Sequence, residues 1–190
     1  WAVPVGVAIG RSPTWSRRLQ PVIQVIASFP APMVFPLVIG VADALGLPFS
    51  IGCVLLMVLG AQWYILFNVL AGATAIPTDL EDAARLGGLS RRRIWTTLYL
   101  PAVFPHAVTG LVTAAGGAWN ASIVSEYLFV HGEPRAAFGL GALISGATAR
   151  ADYPLLGASV LVMALSVVLL NRYVWRRLFR LAAARYTLEV

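Results

Sequence analysis

The 190-residue sequence has no lysine, one cysteine, two histidines and only eight acidic residues. Each scarcity closes a line of chemistry. Without lysine there is no phosphate-cradling loop of the G-x-x-x-x-G-K-[ST] kind, so this chain is not itself the ATPase of any machine it serves. A lone Cys53 has no partner for a disulfide within the chain and says nothing firm about redox compartment. His106 and His131 fall on opposite sides in the topology derived below, and no Cys/His cluster with metal-ligand spacing is present. Charged residues make up 12% of the chain, half of the roughly 25% typical of soluble domains. With 59% hydrophobic residues and a mean hydropathy of +0.79, the chain cannot cover itself with polar surface, and lipid is the expected solvent for much of it.

What is abundant is long uncharged sequence. Leu19 to Ala42 is bounded by Arg18 and Asp43. Further runs lie within Ala44 to Thr78, within Ile94 to Ser125 and from Tyr153 to Asn171. At about 1.5 Å per residue each can cross a hydrocarbon core about 30 Å thick as a helix, the only open-ended structure that satisfies its own backbone in lipid. The expected fold is all-α, one polytopic transmembrane bundle over residues 1–190 with spans near 20–42, 49–72, 100–122 and 153–172. The apolar Trp1 to Ile9, too short to cross, reads as the tail of a further, truncated helix. Pro30, Pro32 and Pro36 should kink the first span. The Gly-rich Ala136 to Ala149 reads as a re-entrant or interfacial segment.

All fourteen basic residues are arginines, and the loops share them unequally. Arg11, Arg17, Arg18, Arg85, Arg91–Arg93, Arg172, Arg176, Arg177, Arg180 and Arg185 fall on one side of the alternating topology. Only Arg135 and Arg150 fall on the other. The acids split evenly, with Asp79, Glu81, Asp82 and Glu189 on the arginine-rich side and Asp43, Glu126, Glu133 and Asp152 on the other. A bias in arginine alone is the positive-inside pattern and makes the arginine-rich side, with the C-terminus, cytoplasmic. The same dispersal argues against nucleic acid as a partner. The basic, aromatic stretch from Asn171 to Arg185 reads as a helix lying on anionic lipid.

The loop over 76–99 is the most informative stretch. Thr78 and Glu81 have capping-box spacing, and Asp79, Glu81 and Asp82 sit in a first turn where the helix dipole favours acids. Leu80, Ala83 and Ala84 are expected on one face, Gly87 and Gly88 end the helix, and Ser90 can cap a second helix entering the third span. A helix this short is marginal alone in water, so something must hold it. A groove on a partner protein and the membrane surface are both open on these residues.

Asp82-Ala83-Ala84, then Gly88, then Leu98-Tyr99-Leu100-Pro101 stand at the spacing of a known signature. The stretch resembles the E-A-A coupling loop of the membrane subunits of binding-protein-dependent ABC importers, with Asp82 for Glu and Leu98 for Ile. Trp1 to Arg11, Phe29 to Pro36 and Gly116 to Glu126 are similar to permeases of the nitrate, sulfonate, taurine and bicarbonate group. The resemblance implies a permease that encloses a path together with a second permease subunit or fused half. It implies an extracytoplasmic substrate-binding protein and separate ATPase subunits that bind ATP and dock on Glu81, Asp82, Ala83, Ala84, Gly88, Leu98, Leu100 and Pro101. The chain would then hold no cofactor or metal, carry out no catalysis itself, and lie in a bacterial inner membrane.

Trp119, Asn120 and Glu126, polar or amphipathic near the end of the third span, are candidates for lining the path or its outer gate, or for bonds between helices. An ATP-independent transporter or channel is the alternative reading, and it predicts ionisable groups or broken helices at mid-membrane depth.

Overall fold

The computed structural model describes residues 1–130 and 132–186, so His131 and Glu189 lie outside the described residues. It is mostly helical. In chain order come α1 (Ala2–Gly10), α2 (Pro13–Ala27), a 3-10 turn (Ala31–Val34), α3 (Phe35–Ala44), α4 (Phe49–Thr74) and α5 (Thr78–Leu86). Then follow α6 (Arg91–Ile94), a π-helical turn (Trp95–Tyr99), α7 (Leu100–Ser125), strands β1 (Tyr127–Val130) and β2 (Glu133–Ala136), α8 (Leu140–Ala149), α9 (Tyr153–Leu170), a second π-helical turn (Asn171–Trp175) and α10 (Arg176–Arg185).

Among the described residues, three continuous helices are long and apolar enough to cross a membrane: Phe49–Thr74, Arg91–Ser125 and Tyr153–Arg185. The first expected span is different. Instead of one kinked helix over 20–42, the run breaks after Ala27 into α2 and α3, which make a fourth candidate only if counted together. The cause is local. Pro30 and Pro32 lack the N–H that a continuing helix needs, and each biases the residue before it away from helical geometry. Pro105, in the interior of α7, does not break its helix; the Thr109 hydroxyl donates to the Pro105 carbonyl across 3.1 Å.

The chain divides into two units. The first holds residues 1–26, 63–113 and 173–186. Its core is Val7, Val69, Ala73, Ile94, Tyr99 and Val103. Here α1 lies against the second half of α4 through Gly6 and Gly10. A methyl group on Gly10 would stand 2.7 Å from the Ala73 Cβ and 2.8 Å from the Leu70 carbonyl. One on Gly6 would meet Val69 Cγ1 at 3.0 Å. Glycines four apart are a common device for bringing membrane helices close, because lipid gives no hydrophobic drive and only tight van der Waals contact holds them. The same half of α4 meets α7 at Gly110, where an added Cβ would reach the Ile65 Cα at 2.9 Å.

The second unit holds 27–62 and 114–172. Phe35, Ile39 and Leu56 form its core, with Leu128 and Val130 of β1 packed against them. The β-hairpin, paired from Tyr127 with Ala136 to Val130 with Glu133, departs from an all-α expectation. Two four-residue strands are too short to show an alternation that stands out from their surroundings. α8 has ten residues, about 15 Å of helix and half of a bilayer core, which suits the expected re-entrant or interfacial segment.

Candidate functional site

α5 starts at Thr78, and Pro77 takes the N-cap position with no side-chain cap bond. The expected capping box is therefore not formed. Thr78 sits one position inside the helix, and the Glu81 carboxylate is engaged elsewhere. The helix ends as the glycine pair predicts. Gly88 takes the left-handed conformation, with φ +74°. The Gly88 N–H donates to the Arg85 carbonyl at 3.0 Å and the Leu89 N–H to the Ala84 carbonyl at 3.1 Å. This is a Schellman close, which satisfies two carbonyls that a helix end otherwise leaves unpaired. Leu89 and Ala84 both pack on the core of the first unit, so the turn is held by apolar contact as well. Ser90 then stands at the N-cap of α6 without a side-chain bond, which corrects its expected capping role.

The two faces of α5 differ. Glu81 is buried, and Ala84 packs inward on the core. Asp82 and Ala83 are exposed, Leu80 is largely so, and Leu86 is 90% exposed. The single face expected for Leu80, Ala83 and Ala84 is thus split, because adjacent residues lie about 100° apart on a helix. Further along, Leu98 packs on the core, Pro101 is half-buried and Leu100 is exposed.

Glu81 is held by a residue with no expected role. The Arg11 guanidinium, just past the end of α1, donates from Nε to Glu81 Oε2 at 3.1 Å and also pairs with it through NH2. Its remaining nitrogen, NH1, donates to the Ile76 carbonyl at 2.7 Å and the Ala73 carbonyl at 3.3 Å. Arg85 pairs with the other carboxylate oxygen, one helical turn along. The Arg11 and Glu81 side chains keep only 13% and 12% of their exposure. Burial alone would push the Glu81 carboxyl up. Hydrogen bonds from Arg11 and from the Tyr99 hydroxyl, with the charges of Arg11 and Arg85, outweigh it and hold the group below its ordinary value. The Arg11 guanidinium also lies 5.6 Å from the Tyr99 ring centroid, within cation–π range. A cleft of about 790 Å³ opens beside this node, walled by Trp15, Arg91 and Trp95 among others.

The residues near the other end of α7 are placed separately. Trp119 is half-buried, and Asn120 is exposed with no partner among the described residues. Glu126 is partly buried, and its carboxylate accepts the Ala142 N–H at 3.0 Å, in the first turn of α8. Among the described residues there is no group of three or more metal-ligating side chains.

Residues 2–180 match the family described as the inner membrane component of binding-protein-dependent transport systems. The chain belongs to this family. Among relatives of this permease, a Methanocaldococcus jannaschii protein named as an ABC transporter permease is 27% identical over 188 residues, covering 94% of this chain and 67% of the relative. The nitrate import permease of Synechococcus elongatus is 31% identical over 129 residues, 67% of this chain and 44% of that protein. The taurine transport permease of Escherichia coli is 28% identical over 174 residues, 90% of this chain and 58% of that protein. The permease described here thus spans from about two-fifths to two-thirds of the length of these relatives. It is a multi-pass membrane component, and its named relatives are transport subunits rather than enzymes.

Proposed function

We propose that this chain is the membrane-spanning part of a permease in an ATP-driven importer of a small anion, and that α5 with the Gly88 turn docks a separate ATPase. The observation that carries this reading is the two-faced geometry of α5. Its inner face is fastened by Glu81 and Ala84, while Asp82, Ala83 and Leu86 stand free on the other. Leu86, 90% exposed on that face, offers a partner an apolar anchor beside the Asp82 carboxylate. Asp82, at the acidic position of the family signature, can make a charged contact on that face, as can the exposed Asp79 one turn before it.

Further features support the reading. The nitrate and taurine permeases among the relatives point to a small anion as cargo, selected in such systems with the help of an extracytoplasmic binding protein. A second permease subunit or fused half would complete the path. The arginine bias puts the α5 loop and the C-terminus on the cytoplasmic side, where ATP is available. Closure of the ATPases on ATP supplies the differential free energy that switches the path between inward- and outward-facing states. Trp119 and Asn120 remain candidates for lining the path. The broken α2–α3 pair is the one observation in favour of an ATP-independent transporter, and that account leaves the fastened α5 loop without a purpose.

The test is co-purification of the complete permease with the ATPase encoded beside it, with a Gly88→Asp variant alongside. The left-handed turn tolerates glycine far better than a side-chain-bearing residue. A stoichiometric ATPase with the native protein, lost from the inserted variant, supports the coupling role. A well-folded native protein with no associated ATPase favours the ATP-independent transporter.

A further inference from the structure

α5 leaves its two neighbouring acids in opposite situations. Asp82 is exposed, whereas Glu81 is turned inward onto Arg11, Arg85 and Tyr99. Arg11 makes this more than a local pair. It closes α1 and accepts no charge partner nearby in sequence; its guanidinium reaches Glu81 on α5 and the Ile76 and Ala73 carbonyls at the end of α4. Tyr99, buried just before α7, presents its ring 5.6 Å from the Arg11 guanidinium. One planar cation thus ties α5 to α1 and to α4, and through the Tyr99 ring beneath it to the foot of α7. The fork geometry that lets one guanidinium serve a carboxylate and two carbonyls at once is particular to arginine. Besides its chain connections, α5 is otherwise fastened by apolar packing of Ala84 and of Leu89 just past its end, and by an arm from Arg85, which is 65% exposed and on α5 itself. A partner that pulls on α5 therefore moves the membrane helices chiefly through the Arg11 node.

Resting on the docking role proposed above, we propose that Arg11 is a positioning residue for coupling: with Tyr99 it clamps Glu81 so that displacement of α5 by the ATPase is passed to α1, α4 and α7 rather than lost in a swivel of the loop. Glu81 is then the inward transmitter and Asp82 the outward contact. Arg11→Gln should leave the docking face of α5 intact and disconnect it from the helices behind.

The experiment uses the complete permease with its ATPase, and reads amide hydrogen exchange with and without a non-hydrolysable ATP analogue. In the native complex the analogue should change exchange both in α5 and at the α7 foot, residues 100–110. In Arg11→Gln, ATPase stoichiometry should hold. Exchange of α5 without nucleotide should rise on the order of tenfold to a hundredfold, the scale of taking from a buried carboxylate one of its two cationic partners. The response to the analogue should persist in α5 and vanish at the α7 foot. Arg11→Lys, which keeps the charge but not the fork, should restore part of that response, and Arg85→Ala should keep it. A merely structural role would lower ATPase binding and both responses together, and would overturn the inference. So would an α7 response that survives in Arg11→Gln with the ATPase bound. Failure of the native protein to bind the ATPase would instead overturn the docking role on which the inference rests.

Discussion

The Glu126 carboxylate accepts the Ala142 N–H across 3.0 Å, so a residue beyond the end of α7 caps the first turn of α8. Gly139, the N-cap residue of α8, has no side chain to do this, and a Cβ there would run into the Glu126 carboxylate. The pair joins a capping hydrogen bond to a favourable charge at a helix N-terminus. Glu126→Ala should therefore lower the thermal stability of the purified permease by about 1 kcal/mol, with Glu126→Gln losing less because it keeps an acceptor. Chemical-denaturant or thermal melts check this. Transport loss in Glu126→Gln with unchanged melting would instead place Glu126 on the path.

Gly10 and Gly40 differ in what stands over them. At Gly10 an added methyl meets Ala73 and the Leu70 backbone, neither of which can swing aside, whereas at Gly40 nothing lies within 4 Å. Gly10→Ala should cost about 1–3 kcal/mol, the usual penalty for overpacking. Gly40→Ala should be neutral or slightly stabilising, since alanine is the better helix former. Melts of the two variants in the same detergent make the comparison, and equal stability would refute the close contact of α1 with α4.

Acid should loosen the Arg11 node. The folded Glu81 carboxyl lies below its ordinary value of 4.5, so its contribution to stability is complete above that value and is lost as the pH falls through the folded one. Native melting temperature should hold from neutral pH down to 4.5 and then decline. Glu81→Gln should be less stable at neutral pH, where it leaves the Arg11 charge unpaired, and the gap should narrow in acid. A gap that stays constant below 4.5 would mean that the folded chain does not hold the Glu81 carboxyl below its ordinary value.

Arg135 and Asp43 pair at 2.7 Å, but their side chains are 43% and 40% exposed, and Arg135 also lies over the Phe49 ring at 5.9 Å. Water screens such a pair, so Arg135→Ala should cost no more than about 1 kcal/mol. Arg11→Ala should cost more, about 2–3 kcal/mol, because it leaves the buried Glu81 carboxylate with only the exposed Arg85 as a cationic partner. The ranking of the two in one melting series is the check.

Much of this permease is legible along the chain because the responsible physics is local. Length and hydropathy place the starts of α4 and α9, since a helix that must bury itself in lipid announces itself by an unbroken apolar run; the second helix then runs on past the expected 172 to Arg185. The Gly87–Gly88 stop is readable because a left-handed backbone costs other residues free energy at that position whatever surrounds it. The family signature from Asp82 to Pro101 is likewise a matter of spacing. Local rules also mislead where a distant partner competes. Thr78 and Glu81 have the spacing of a capping box, yet Glu81 goes to Arg11, because a guanidinium supplies stronger, charge-assisted bonds than a backbone N–H. Nothing in the residues near Arg11 names a partner seventy positions away, nothing near Glu126 announces the amide of Ala142, and Gly6 and Gly10 do not say which helix they face. The sequence by itself determined the apolar helices, the arginine asymmetry and the turn at Gly88, all of which depend on neighbours along the chain. Only the tertiary structure decided which face of α5 is fastened and which is free, because that depends on which distant groups packing brings within hydrogen-bond reach.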